Sequence, residues 1–582
     1  MSLIIFAMGQ TFSVKQTTKL LSYAICFVSA FLRLDSATAQ SFEPLTPEPV
    51  NPEVQPPLPP NLNPLRTIPS PPAPESVRDI PGTITVKQFE FVGNTVFSSK
   101  ELNQAIANFT QQPISFAQLV QAANQITEFY VSRGYITTGA YVPEQGLTSD
   151  KVRIQIVEGS LGSIEVDVKG RLKPSYIRDR LEAKIQTPLN INQLQSALQL
   201  LQLNPLIESL NAELSAGITP GTNILDVSVI SADTFKLETR LNNNRNLSIG
   251  SFERGVHLEE ANLLGIGDRL RLTYDNTEGS NQFGGGYTLP LNTSGGSLGF
   301  NFREGKNEIV QSSLANIDLD IKSRNYDLTW RQPILQKATP DVSQELAVNI
   351  TAGRRASDST IMDEPQPLSP GANEAGEIRT SVISFGQEWL KRNRRQVIAV
   401  NSQFNLGVDV LNATILPEEP DGEFFSWRGQ FSYLHSLSKI PQEFGSTLLL
   451  RSELQLASDP LISTEQFSLG GATTVRGYRQ DALLTDSGFL ATAEFRLPIA
   501  RFEPINATLQ VAPFIDFGTG WNNDDQKTEI STLIGTGFGL LLQTPERFSA
   551  RVDWGIPLLH QDDRGSSLQE DGVYLQLQYD LF

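Results

Sequence analysis

Residues 488–497 read GFLATAEFRL. In an extended chain Phe489, Ala491, Ala493, Phe495 and Leu497 fall on one face, and Thr492, Glu494 and Arg496 fall on the other. A period of two is the mark of a strand with two unlike sides. The same texture runs from about residue 234 to the end, as in FKLETRLNN (235–243), DRLRLTYDN (268–276), NYDLTW (325–330), LLRSELQLA (449–457) and GVYLQLQYDLF (572–582).

What the charged faces meet decides the class. In a soluble sandwich the polar face meets bulk water and the apolar face needs a partner sheet. About sixteen such segments in roughly 350 residues exceed what one sandwich core normally uses. A propeller or β-helix would show a repeating period, and none is visible. A closed membrane barrel leaves no strand edge unpaired, with apolar side chains toward lipid and charged ones toward a wet lumen. The expected fold is therefore mainly β, with a transmembrane antiparallel β-barrel of about sixteen strands over 233–582.

The N-terminal part differs. Lys15 and Lys19 precede LLSYAICFVSAFL, and Ala37-Thr38-Ala39 offers small residues for cleavage, the order of a secretory signal peptide over 1–39. A signal anchor is the alternative. The chain's single cysteine, Cys26, lies in that apolar run, so the mature protein is expected to hold no disulfide and no thiolate metal site. No other stretch approaches twenty apolar residues, so no transmembrane helix is expected. The formal net charge of -18 argues against nucleic acid as a partner.

Residues 40–82 are dense in proline and read as an extended spacer that forms neither helix nor ladder; recognition of the prolines by a partner is the alternative. Two segments of similar element order follow, at 83–159 and 160–232. In the first, ITVKQFEFVGN (84–94) is a strand, and Ser98/Glu101 and Ser115/Gln118 make capping boxes for two helices. Leu119, Ala122, Ala123, Ile126 and Tyr130 share one face of the second helix, and YITTGAYV (135–142) and KVRIQIVEG (151–159) are strands. In the second, SIEVDVKG, IESLNAEL and NILDVSVI are strands, Pro174 opens one helix and Asn190 caps the other. Two α+β units without chemistry read as recognition modules.

The chemistry of catalysis is missing. His257, His435 and His560 lie far apart, and no HExxH, P-loop or GxSxG pattern occurs. No catalytic residue, cofactor or metal is expected. The acidic NNDDQKTE (522–529) reads as a solvated loop, and GGGYTLPL (284–291) as a strand or loop with no helix to cradle phosphate.

One loop stands out. Residues 458–487 are too long for a tight turn and carry FSLGGATTVRGY, whose apolar side chains prefer shelter. Folded into the lumen, Arg476 would need a carboxylate, and Asp516 in VAPFIDFGTGW is a candidate. Arg476 as an exposed turn residue is the equal alternative on these grounds.

A spacer, two β-α-α-β-β units and a barrel carrying this loop resemble the two-partner secretion transporters of the TpsB type, in the POTRA–barrel superfamily. FVGNTVFSSKEL and GYITTGAYVPEQGL resemble parts of that family's first POTRA domain. Val475-Arg476-Gly477-Tyr478 matches its inward loop motif, and Phe514, Asp516 and Gly518 match the strand motif that receives the arginine. The resemblance implies two periplasmic POTRA domains that bind an unfolded secreted exoprotein of the haemolysin/haemagglutinin kind. It further implies export through an outer-membrane barrel in contact with lipid, without ATP. An insertase for outer-membrane proteins in the same superfamily is the rival, and a passive solute porin a more distant one. Two departures stand: the proline content obscures any plug helix, and Phe582 falls one residue out of phase with Leu581 as an aromatic terminus.

Overall fold

The computed structural model describes residues 58, 64–67, 83–146, 150–311, 318–417, 420–437, 445–523, 531–545, 547–559 and 565–582. The expected leader, most of the spacer and the acid residues of 522–529 lie outside them.

In the first unit, strand Gln88–Val92 runs parallel to Lys151–Val157, which pairs antiparallel with Gly139–Tyr141. Helices α1 (Ser99–Ala105) and α2 (Phe116–Val131) both open on the capping boxes read from the sequence. The α2 face of Leu119, Ala122, Ala123, Ile126 and Tyr130 is buried against Phe89, Phe91, Val152 and Ile154. Glu158 ties helix to sheet, accepting from the Tyr130 hydroxyl at 2.8 Å and from the N–H groups of Thr95 and Val96. Burial alone would raise the Glu158 carboxyl, but these donors hold it below the usual carboxylate range. Two expected strands are shorter. Thr83–Thr85 leaves the main sheet to pair with Pro113–Ser115. Of 135–142 only Gly139–Tyr141 is strand, because Tyr135 is held in the turn after α2, its N–H bonded to the Tyr130 carbonyl.

The second unit carries a sheet ordered Leu65–Thr67, Ile207–Ala216, Thr222–Ser231, Ser160–Lys169. Helices α3 (Pro174–Glu182) and α4 (Ile191–Gln202) cover one face, opened by Pro174 and capped by Asn190 as expected. The first sheet member corrects the reading of the spacer. Leu65-Arg66-Thr67 is a proline-free triplet whose N–H groups are all available, and it adds parallel to Ile207–Ala216. The Pro64 carbonyl, which proline retains, accepts from Ala212 at 2.9 Å. The two units are joined by more than chain: Ile191 N–H bonds Gly134 O at 2.8 Å and Leu189 N–H bonds Gly159 O at 2.7 Å.

Sixteen long antiparallel strands then close a barrel: β1 (Phe235–Asn242), β2 (Glu253–Glu260), β3 (Arg269–Asn276), β4 (Ser280–Pro290), β5 (Ser297–Glu308), β6 (Leu319–Ala338), β7 (Val342–Ile361), β8 (Glu377–Asn393), β9 (Gln396–Gly407), β10 (Phe425–Ser436), β11 (Thr447–Ala457), β12 (Ser487–Phe502), β13 (Ala507–Trp521), β14 (Thr532–Gln543), β15 (Phe548–Pro557) and β16 (Val573–Asp580). A two-residue strand, Glu364–Pro365, folds back to pair antiparallel with the last two residues of β7. Closure pairs β1 with β16 from Glu238↔Asp580 to Asn242↔Gln576. Pro333 and Pro498, which lack a ladder N–H, sit at the two register shifts of the barrel.

Alternation sorts the two faces as predicted. Leu328, Ile350, Phe385, Phe404, Ile515 and Phe538 point outward and stay exposed, as a lipid-facing belt requires. Inward, polar groups pair: Arg331 meets Glu345 and Glu388 at 2.7 Å each, and His257 Nε2 lies 2.8 Å from Asp275 Oδ1. The second unit docks on the turn after β2, where Arg171 Nη1 lies 2.6 Å from Glu260 Oε2 and Lys173 N–H bonds Gly265 O.

The two faces predict unequal tolerance to charge. Leu328→Arg on the lipid side should lower stability in vesicles by ~2–4 kcal/mol, and Thr329→Arg on the lumen side by ~1 kcal/mol or less, measured by urea unfolding.

Candidate functional site

Residues between β11 and β12 do not hang outside the barrel. They fold into the lumen around a short hairpin, Phe467–Leu469 with Leu483–Thr485. The loop carries its own core: Phe467, Leu469, Val475, Tyr478 and Leu483 bury against Leu490 and Leu533 of the wall. This shelters the apolar side chains that made the segment unusual as sequence.

The tip, Val475–Tyr478, is buried throughout. Arg476 Nε donates to Asp516 Oδ2 at 2.8 Å, its Nη2 to Asp516 Oδ1 at 2.9 Å, and its backbone N–H to Oδ2 at 3.1 Å. Nη1 donates to Glu494 Oε2 at 2.8 Å, and the guanidinium carbon lies 3.4 Å from the centre of the Phe514 ring. Phe514 thus stacks on the cation while Asp516 chelates it. Gly518, the third wall residue, leaves room for the loop: a Cβ there would lie 2.8 Å from side-chain carbons of Val475 and Leu469. All seven residues singled out from the sequence meet at one place.

Sequence reasoning missed the rest of the charge set. Glu494 also receives Arg551 at 2.6 and 3.1 Å and Arg496 at 2.7 Å, and Arg551 chelates Asp553 at 2.5 and 2.8 Å. Three guanidiniums and three carboxylates are therefore interleaved across β12, β13, β15 and the loop, with no net charge among the six. Asp516 has no exposed surface and Arg476 is 4% exposed. Desolvating one such pair is expensive, and only this degree of hydrogen bonding offsets it; removing a single member typically costs about 3–5 kcal/mol. A signal for Asp553 was present, since Val552-Asp553-Trp554-Gly555 repeats the apolar–Asp–aromatic–Gly order of Ile515-Asp516-Phe517-Gly518. Glu494 had no such mark.

Backbone contacts complete the seat. Gly477 has φ +100°, a left-handed value that a β-carbon would strain, and its N–H donates to the Tyr574 hydroxyl at 2.9 Å. Tyr574 on β16 donates in turn to the Tyr478 carbonyl at 2.5 Å. The Tyr478 hydroxyl lies 3.0 Å from the carbonyl oxygens of both Ile534 and Leu559. The wall beneath is bare: a Cβ at Gly535 would lie 1.9 Å from Arg476 O, and one at Gly555 2.4 Å from Gly477 N. Just past the tip, fully buried Gln569 accepts from Gln480 N–H at 3.1 Å and donates to Arg245 O at 2.7 Å.

A barrel closed around its own inward loop, fronted by α+β recognition units on the side of its short turns, defines an outer-membrane transporter of polypeptides. The model of the haemolysin secretion/activation protein family ShlB/FhaC/HecB matches residues 221–542, and the ShlB-type POTRA domain model matches 84–159. The former covers more than half of the chain, and the chain belongs to that family. Among curated proteins it is 20% identical over 489 residues to the outer membrane transporter CdiB of Dickeya dadantii, covering 81% of this chain and 83% of that protein. It is 22% identical over 486 residues to the heme/hemopexin transporter protein HuxB of Haemophilus influenzae, covering 81% and 82%. The solved structure of CdiB from Escherichia coli shares the fold, with a TM-score of 0.67 at 19% identity over 88% of this chain and 93% of that one. The protein is a two-partner secretion transporter, with its barrel in the outer membrane and its POTRA region in the periplasm. Its family consists of transporters rather than enzymes.

The seat predicts two graded lesions. Gly535→Val should unseat the tip outright, since no rotamer avoids the clash with the Arg476 carbonyl. Tyr574→Phe removes two hydrogen bonds and should raise tip exposure about tenfold, read as cleavage after Arg476 or Arg479 by trypsin.

Proposed function

We propose that this transporter exports a specific haemolysin/haemagglutinin-like exoprotein as an unfolded chain through the barrel lumen, without ATP, with the Val475–Tyr478 tip as the latch. The carrying observation is the lock of Arg476 onto Asp516 and Glu494, which ties the loop that occupies the conduit to the conduit's wall. Substrate passage through the same space requires that loop to shift. Folding of the exported chain outside then makes passage effectively irreversible.

The two α+β units, residues 83–159 and 160–232, act in this reading as tandem POTRA domains that capture substrate by adding a strand to an exposed edge, where backbone bonds tolerate varied sequence. Gly139–Tyr141 lies at one edge of its sheet with Tyr141 half exposed. The edge of Ile207–Ala216 already accepts an extended segment, Leu65–Thr67, which supports its capacity for strand addition. Lipid around the barrel is the other partner.

Export assays test the latch. Arg476→Asp sets a fourth carboxylate against two guanidiniums and should abolish secretion. Adding Asp516→Arg should restore part of it; recovery stays partial because Asp516 also receives the Arg476 backbone N–H. Equal secretion by wild type and both single variants removes the pairing from the mechanism. Deleting 84–232 separates a secretion transporter, which loses export, from a solute pore, which keeps its permeation selectivity.

A further inference from the structure

The loop touches the wall at a second charged site that the latch does not use. Eight residues after β11, before the hairpin begins, Glu465 turns its side chain toward β7, six strands round the barrel from Asp516. Its Oε1 lies 3.5 Å from Arg355 Nε, and both side chains are largely buried, 10% and 16% exposed. Asp327 on β6 flanks the same guanidinium at 3.9 Å. The limb is held there by its backbone too: Gln455 on β11 donates to the Glu465 carbonyl at 3.0 Å, and Leu461 packs with Val382 and Phe424.

This contact differs in kind from the latch. Arg476 makes directional hydrogen bonds through its backbone N–H and all three guanidinium nitrogens. Glu465 Oε1 and Arg355 Nε make no hydrogen bond among the described residues, so their attraction is Coulombic and tolerates sliding by a fraction of an ångström. A directional lock releases all at once, whereas a non-directional pair between buried charges survives small displacements.

Resting on the latch reading above, we propose that Glu465 is a positioning residue: held by Arg355, it pins the outer limb of the loop to the β6–β7 wall independently of the tip, so that the loop swings about this limb instead of leaving the lumen as one body. Tip and limb are then two separately released anchors, and export needs the limb to stay in place while the tip moves.

The chain's only cysteine lies in the expected leader, so single cysteines report on each anchor. Ser463→Cys lies on the limb and Thr474→Cys beside the tip; the hydroxyl of each native residue is buried. In the full transporter in outer membranes, Glu465→Lys opposes Arg355 and should raise maleimide labelling at 463 about tenfold while labelling at 474 stays within about twofold. Arg476→Asp should do the reverse. Export should fall in Glu465→Lys and return in Glu465→Arg combined with Arg355→Glu, a rescue that a misfolded barrel would not give. Exposure of both sites by either variant, or of neither by Glu465→Lys, overturns the separate anchor. The latch fails on a different result, Arg476→Asp leaving labelling at 474 and export at wild-type levels.

Discussion

A bilayer offers backbone N–H and C=O groups no partner, and that constraint organises the whole C-terminal part of this chain. It forces sixteen strands to close on one another, makes outward side chains apolar and leaves polar ones nowhere to point but inward. Closure creates an interior with its own dielectric character, neither bulk water nor core. Only in such a space does an arginine on a loop need a dedicated set of carboxylates. The seating of Arg476 is thus a consequence of the barrel, and the barrel a consequence of lipid.

The two ends of the transporter use opposite strategies for unpaired backbone. The barrel pairs β1 with β16 and presents no free edge. The α+β units keep edges, and one of them is filled by three residues of the segment that leads into the units. An open edge that would be a liability in lipid is tolerated in water, where a further strand can be added to it.

Much of this was legible because the physics is local. A period of two in GFLATAEFRL or GVYLQLQYDLF states which side meets lipid, and Ser98/Glu101 and Ser115/Gln118 mark helix starts within one turn. Arg476 and Asp516 drew attention as out of place, a cation among glycines and an acid among aromatics, but only the family resemblance of their motifs favoured pairing over an exposed arginine. Glu494 was not, since on a barrel strand an inward acid looks like any other until Arg476, Arg496 and Arg551 converge on it. Leu65–Thr67 was hidden by composition: prolines on either side of a triplet conceal that the triplet itself can pair. The strand expected at 135–138 yielded to a turn set by Tyr135 packing edge-on against Phe97 and Tyr130, a contact with no trace in periodicity.

The stripe of glycines under the tip carries a consequence for traffic. Where Gly518, Gly535 and Gly555 line the wall, the loop rests on peptide groups instead of side chains. Lifting the tip would uncover a shallow strip of bare main chain beside the carboxylates that had held Arg476. On the export reading proposed above, such a track would offer a passing polypeptide few side chains to catch on beyond the charged set around Asp516 and Glu494.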